Sequence, residues 1–137
     1  MRFDLVDRVL ELSESRIVTL KQVTGAEEYL QDHFPTFPVL PGVMMLEAMV
    51  QAGRRLCEPK VPGVRLVLGQ ARALKYGRFV RPGFALRVEV TLGGVEGEAF
   101  DLRGEARLVD PAAAPGELPV AVSGRLTLRP VRILVPA

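Results

Sequence analysis

A chain of 137 residues, 48% hydrophobic and 25% charged, holds about one globular domain with a core of its own. The formal charge is +2, and fifteen of the eighteen basic residues are arginines spread along the chain; no basic run is interleaved with aromatics, which argues against nucleic acid as a partner. A single cysteine (Cys57) and a single histidine (His33) exclude an intrachain disulfide and a typical zinc site, and no leader pattern or membrane-length apolar run is present, so a cytoplasmic protein without a membrane span is expected.

Residues 5–12, "LVDRVLEL", have apolar positions that fit either a helical or a strand period, and "SES" (13–15) is turn-like. "RIVTLKQV" (16–23) is rich in β-branched residues and reads as a strand. "GAEEYLQDHFP" (25–35) has room for one short helical turn that Pro35 ends. The strongest helix is "VMMLEAMVQAGRRL" (43–56): its residues are good helix formers, and Arg54 and Arg55 suit the negative end of its dipole. Apolar residues fall on nearly every side, which predicts a buried helix. "EPKVPG" (58–63) breaks the chain.

The second half reads as four strands in series: "VRLVLGQARALKY" (64–76), "ALRVEVTL" (85–92), "AFDLRGEARLV" (99–109) and "VAVSGRLTLRPV" (120–131). Turns are expected at Pro82-Gly83 and Gly93-Gly94, with a longer loop at 110–119. One early buried helix followed by long strands predicts an α+β domain in which an antiparallel sheet curls around a central helix.

The chemistry concentrates in "DHFPTFPVLPGVMMLEAMVQAG" (32–53). Glu47 stands among Met44, Met45, Leu46, Ala48, Met49 and Val50; an ionised carboxylate enclosed there costs several kcal/mol unless paired, and burial favours the protonated form that a general acid needs. Pro35, Pro38 and Pro41 stiffen the segment between His33 and the helix. Gly42 opens the helix, where its N–H is free and a carbonyl oxygen can approach closely. A base (His33), an acid (Glu47) and an oxyanion donor (Gly42 N–H) are the parts for taking a proton α to a thioester and expelling a β-hydroxyl. Ser13, Ser15 and Ser123 lie outside any nucleophile elbow, and no glycine-rich phosphate loop occurs.

These residues carry a resemblance. Asp32, His33, Phe34, Pro35, Thr36, Pro38, Pro41, Gly42, Glu47 and Gln51 resemble the signature of the (3R)-hydroxyacyl-(acyl-carrier-protein) dehydratases of bacterial fatty-acid synthesis, approximately GHFPGxPxxPGxxxxExxxQ. "LVDRVLEL…RIVTLKQVT" looks like that family's first hairpin, and "KYGRFVRPG" (75–83) like its aromatic-basic-Pro-Gly segment, so the likeness covers most of the chain. It implies the hotdog fold, with His33 as the base at C2, Glu47 as the proton donor to the C3 hydroxyl, and Gly42 N–H on the thioester oxygen. Gln51 would orient Glu47 or, as an ordinary helix polar residue, meet a neighbouring strand. Phe34 would line the acyl tunnel or serve the core. The chain departs from the pattern at Asp32 and Thr36, which stand where the family has glycines, at Phe37, and at "RFV" (78–80); the family's upstream His-Arg-Tyr-Pro-type segment has no counterpart here.

The resemblance implies no metal or other cofactor. It implies an acyl thioester substrate on acyl carrier protein, with coenzyme A as the alternative carrier. It also implies a homodimer at least, with a trimer of dimers as the larger alternative. An acidic carrier would suit some of the arginines. Two other readings use the same fold: a hotdog acyl thioesterase, and a non-catalytic acyl-binding hotdog protein. Retention of both His33 and Glu47 argues against the first, and the cost of Glu47 against the second.

Overall fold

The computed structural model describes residues 4–27, 30 and 38–132. The strands are β1 (Arg8–Leu12), β2 (Arg16–Gln22), β3 (Leu66–Tyr76), β4 (Ala85–Glu96), β5 (Ala99–Val109) and β6 (Val120–Pro130), and the helix α1 (Gly42–Cys57) runs on into a 3-10 turn, Glu58–Lys60. The strands form one antiparallel sheet in the order β1-β2-β4-β5-β6-β3, with β1 and β3 at its edges. The ambiguous segment 5–12 resolves as a strand over its second half. The short helical turn expected in 25–35 falls largely outside the described residues; the backbone N–H of Leu30 donates to Glu27 O at 3.1 Å.

Register explains how the sheet holds the helix. Directly paired residues share a face. One row runs Ile17, Val90, Gly104, Gly124, and the next runs Thr19, Val88, Ala106, Val122. Both rows belong to the inner face: all but the two glycines and Thr19 are in the buried hydrophobic core with Met45, Ala48, Met49, Ala52 and Leu56 of α1. The helix lies close because two contact positions have no side chain. A Cβ on Gly53 would lie 2.7 Å from Leu102 Cδ1, and one on Gly104 would lie 2.7 Å from Met49 Sδ. The outer face alternates with the inner one and is charged. Arg16 donates to Glu89 through Nε at 3.0 Å and Nη2 at 3.1 Å, and to Glu11 through Nη1 at 2.7 Å. This pairing holds the Glu89 carboxyl below the usual carboxylate range.

Two expectations are corrected. Gly93-Gly94 is not the β4–β5 turn: both glycines lie inside β4, which continues to Glu96, and the register shifts between Leu92 and Gly94. The chain reverses between Glu96 and Ala99, where Gly97 takes φ +61, a conformation open to glycine. Paired glycines in a strand mark a bulge as readily as a turn. The second correction concerns α1, which is buried on one side only. Val43 is 65% exposed, and Met44, Leu46, Glu47, Gln51 and Arg54 are half-buried. A single curled sheet covers one side of a helix, so Met44 and Leu46 are only partly covered and Val43 is exposed.

The sheet also sets a steric limit where β3 leads into the next segment. Gly77 N–H donates to Ala121 O at 2.8 Å, and a Cβ on Gly77 would lie 2.6 Å from the backbone oxygen of Val120. That oxygen cannot swing aside without parting the two segments. Gly77→Ala is therefore expected to lower stability by about 1–3 kcal/mol. Gly25→Ala, with nothing within 4 Å, should stay within about 0.5 kcal/mol of the parent; urea unfolding of both variants checks the contrast.

Candidate active site

The described end of the proline segment is anchored from behind. Val39 and Leu40 are buried, and Leu40 N–H donates to Val80 O at 2.7 Å. The chain then enters α1 through Pro41, whose carbonyl accepts from Met44 N–H at 2.9 Å and Met45 N–H at 3.2 Å. Among the described residues Gly42 N–H has no acceptor, as expected for a first-turn donor at the positive end of the helix dipole.

Gly42 opens onto a groove of about 670 Å³ bordered by Leu40, Met45, Tyr76, Phe79 and Leu108. The groove is mainly apolar, and Phe79, 70% exposed, stands at its border. Tyr76 explains why residue 42 is glycine. Its hydroxyl donates to Gly42 O at 3.3 Å, and its ring covers the Cα so closely that a Cβ would lie 2.9 Å from Cε1. Sequence reasoning did not single out Tyr76; the signal available was an aromatic beside a glycine in "KYGRFVRPG".

Glu47 sits on the half-covered side of α1. Its Oε1 accepts from Gln51 Nε2 at 3.2 Å, one helical turn on. Gln51 Oε1 in turn accepts from the backbone N–H of Leu5 at 2.7 Å. Glu47 is therefore not enclosed as its apolar neighbours implied: it is partly open to solvent within one chain and hydrogen-bonded by an amide. It does not border the groove at Gly42. One chain thus brings together Gly42 and the groove, and separately Glu47 and Gln51. His33 and Phe34 lie outside the described residues, as do Asp32, Pro35, Thr36 and Phe37.

Other chemistries lack a centre here. Cys57 is fully buried at the end of α1, and desolvation pushes its thiol up to about 11, which leaves it a poor nucleophile. Among the described residues no three His, Cys, Asp or Glu side chains cluster as metal ligands, and no helix is long and apolar enough to cross a membrane.

An antiparallel sheet wrapped on one central helix, with a groove at the helix N-terminus, defines the hotdog class. A chain of the dehydratase heterocomplex ApeI:P from Xenorhabdus doucetiae shares the fold at TM-score 0.67 and 20% identity, over 95% of this chain and 84% of that one. So does a thioesterase-superfamily protein of Thermus thermophilus, at TM-score 0.67 and 21% identity, over 89% of this chain and 85% of that one. The ApeI-like family, described as ApeI dehydratase, matches residues 10–110. The 3-hydroxyacyl-(acyl-carrier-protein) dehydratase FabZ of Pelotomaculum thermopropionicum is 40% identical over 123 residues, 88% of each chain. FabZ of Moorella thermoacetica is 38% identical over 127 residues, 90% of this chain and 89% of its own. The chain belongs to this dehydratase family, the hydro-lyases of fatty-acid synthesis, as the resemblance in its sequence implied.

The Gly42–Tyr76 contact makes a stability prediction. Gly42→Ala must displace the Tyr76 ring and should cost about 1–3 kcal/mol. Tyr76 is half-exposed, so Tyr76→Ala should cost less than a core truncation and should relieve most of the penalty in the double variant. A double-mutant cycle by thermal unfolding reads the coupling.

Proposed function

We propose that the chain removes water from (3R)-3-hydroxyacyl thioesters to give trans-2-enoyl thioesters, using His33, Glu47 and Gly42 in a site shared between two subunits. The observation that carries this reading is the carboxylate–amide pair of Glu47 and Gln51: it is held on the half-covered side of a largely apolar helix, in a chain whose groove opens at Gly42. His33 takes the proton from C2. The electron pair left there forms the C2=C3 double bond as the C3–O bond breaks, and Glu47 protonates the departing hydroxyl as water. Negative charge that gathers on the thioester oxygen is met by Gly42 N–H at the helix N-terminus. His33 ends protonated and Glu47 ionised, so one proton passes back between them, directly or through water, before the next turnover.

The absence of Glu47 from the border of the groove at Gly42 supports a shared site. A two-fold partner would cover the exposed side of α1 and the open β3 edge, and would bring its own Glu47 to the neighbour's groove. Phe34 would extend the acyl passage. Assembly as a homodimer, or as a trimer of dimers, and a cytoplasmic setting belong to this reading.

Direct assay of crotonyl-thioester hydration, with free thiol monitored in parallel, tests the chemistry: hydration without thiol release is expected. Thiol release would favour the thioesterase reading, and neither activity the acyl-binding one. His33→Ala and Glu47→Gln should each lose about 10²- to 10⁴-fold in turnover while remaining folded. Unfolded together and refolded, the two inactive chains should recover about a quarter of the parental activity per site, because roughly half the dimers are mixed and each of those holds one intact site. No recovery, with mixed dimers confirmed by mass spectrometry, would place both residues in one subunit.

Acyl carrier protein as the carrier is supported by the outer face of the sheet. Arg103 is paired directly with Arg125 on the neighbouring strand, and Arg125 with Arg72 on the next. Arg72 meets Asp101 at 3.3 Å. Arg103 and Arg125 have no carboxylate partner among the described residues. Like charges directly opposite are destabilising, and an acidic carrier relieves the repulsion. Arg103→Glu with Arg125→Glu should raise KM about tenfold or more for carrier-borne substrate, and leave KM for the coenzyme A thioester within about twofold. Equal effects on both substrates would remove this face from carrier docking.

A further inference from the structure

The carboxylate of Glu47 is held by a relay that begins outside α1. A glutamine amide has one accepting end and one donating end. Leu5 N–H occupies Gln51 Oε1 at 2.7 Å, so the donating Nε2 is the end that faces Glu47, 3.2 Å from Oε1. The orientation of the amide, and with it the bond to the carboxylate, therefore depends on where the Leu5 backbone points.

Leu5 is itself tightly placed. Its side chain is buried in the core. Asp4 Oδ1 accepts from Val6 N–H at 3.2 Å, which turns the backbone across residue 5. Residue 7 is fastened to β2 twice: Asp7 N–H donates to Leu20 O at 2.9 Å, and Asp7 Oδ2 accepts from Gln22 N–H at 2.7 Å. Lys21, its side chain only 7% exposed, lies 3.8 Å from Asp7 Oδ1 and pairs with Glu27 at 2.9 Å.

We propose that segment 4–7 is a positioning element of the active site, in which Asp7 anchors the segment to β2, Leu5 N–H sets the Gln51 amide, and the amide sets the Glu47 carboxylate. The inference rests on the reading of Glu47 as proton donor. None of these residues except Glu47 touches substrate; the others act through it. A general acid displaced by about 1 Å can cost on the order of 10²-fold in rate, which gives the relay its leverage.

The test uses the full chain with Asp7→Ala, Asp7→Asn, Gln51→Leu and Gln51→Glu, each checked for native circular dichroism and assayed well below its unfolding midpoint. Asp7→Ala, Gln51→Leu and Gln51→Glu should lower kcat by about 10- to 100-fold with KM within about twofold, the signature of a lost transition-state interaction. Gln51→Glu keeps the acceptor for Leu5 and removes the donor to Glu47, so it decides the matter if Gln51→Leu does not fold. Asp7→Asn keeps an acceptor oxygen for Gln22 N–H and should retain most of the turnover. In a Glu47→Gln background the other changes should add no further loss in kcat, because no carboxylate is left to place. Faster hydrogen exchange at Leu5 N–H in Gln51→Leu reads the relay independently of activity. Full kcat in both Gln51 variants, or losses that add in the Glu47→Gln background, would overturn the proposal. Near-normal turnover of Glu47→Gln alone would instead overturn the reading of Glu47 on which it rests.

Discussion

At Gly53 the helix, and at Gly104 the sheet, offers a position without a side chain into which Leu102 and Met49 of the facing element pack, and the site is arranged around that contact. Because α1 can sink onto the inner rows of the sheet, Met49 reaches Gly104 and the apolar residues of one helical side are removed from water together. The same contact fixes the helix's rotation. With Met45, Met49, Ala52 and Leu56 turned to the sheet, Glu47 and Gln51 are turned to the half-covered side. Bulk at either glycine would lift the helix and shift the carboxylate.

The N-terminal end of the helix is placed by different means. Leu40 is bonded to Val80, and Tyr76 lies across Gly42 and bonds its carbonyl. The segment that follows β3 therefore braces the first turn of α1, and Gly42 N–H is left facing a preformed apolar groove. A fixed, unpaired donor beside an apolar surface costs little to form at a helix start, since first-turn N–H groups lack intrahelical partners in any case. Such a donor also needs no reorganisation when charge develops on a bound carbonyl, which is the condition for electrostatic stabilisation of a transition state.

As the proposed proton donor, Glu47 combines two demands that oppose each other. A carboxylate intended to give up a proton gains from a poorly solvated setting, whereas an unpartnered buried charge destabilises the fold. The arrangement around it is a compromise: partial solvent access within one chain and, among the described residues, an amide hydrogen bond from Gln51. In the proposed shared site, a second subunit laid over this side would change that balance and so would tie catalysis to assembly.

Much of this was legible in the chain itself. Alternation in "ALRVEVTL" and the β-branched run in "RIVTLKQV" mark strands because side chains on a strand alternate between faces, and the run of Met, Leu, Glu, Ala and Gln after Pro41-Gly42 marks α1 because these side chains lose little freedom in a helix. The spacing of His33, Gly42, Glu47 and Gln51 carried the family. What local pattern could not supply was whatever depends on contacts distant in sequence. Gly93-Gly94 reads as a turn until β5 pairs with it as a bulged strand. The apolar residues of α1 read as fully buried until the sheet is seen to cover one side. The amide of Gln51 has two ends that sequence cannot tell apart, and the backbone N–H of Leu5, distant in sequence, holds the oxygen end while the nitrogen end faces Glu47. Periodicity and residue chemistry are local and survive in the sequence; register, coverage and hydrogen-bond direction are set by partners that only the folded chain brings into contact.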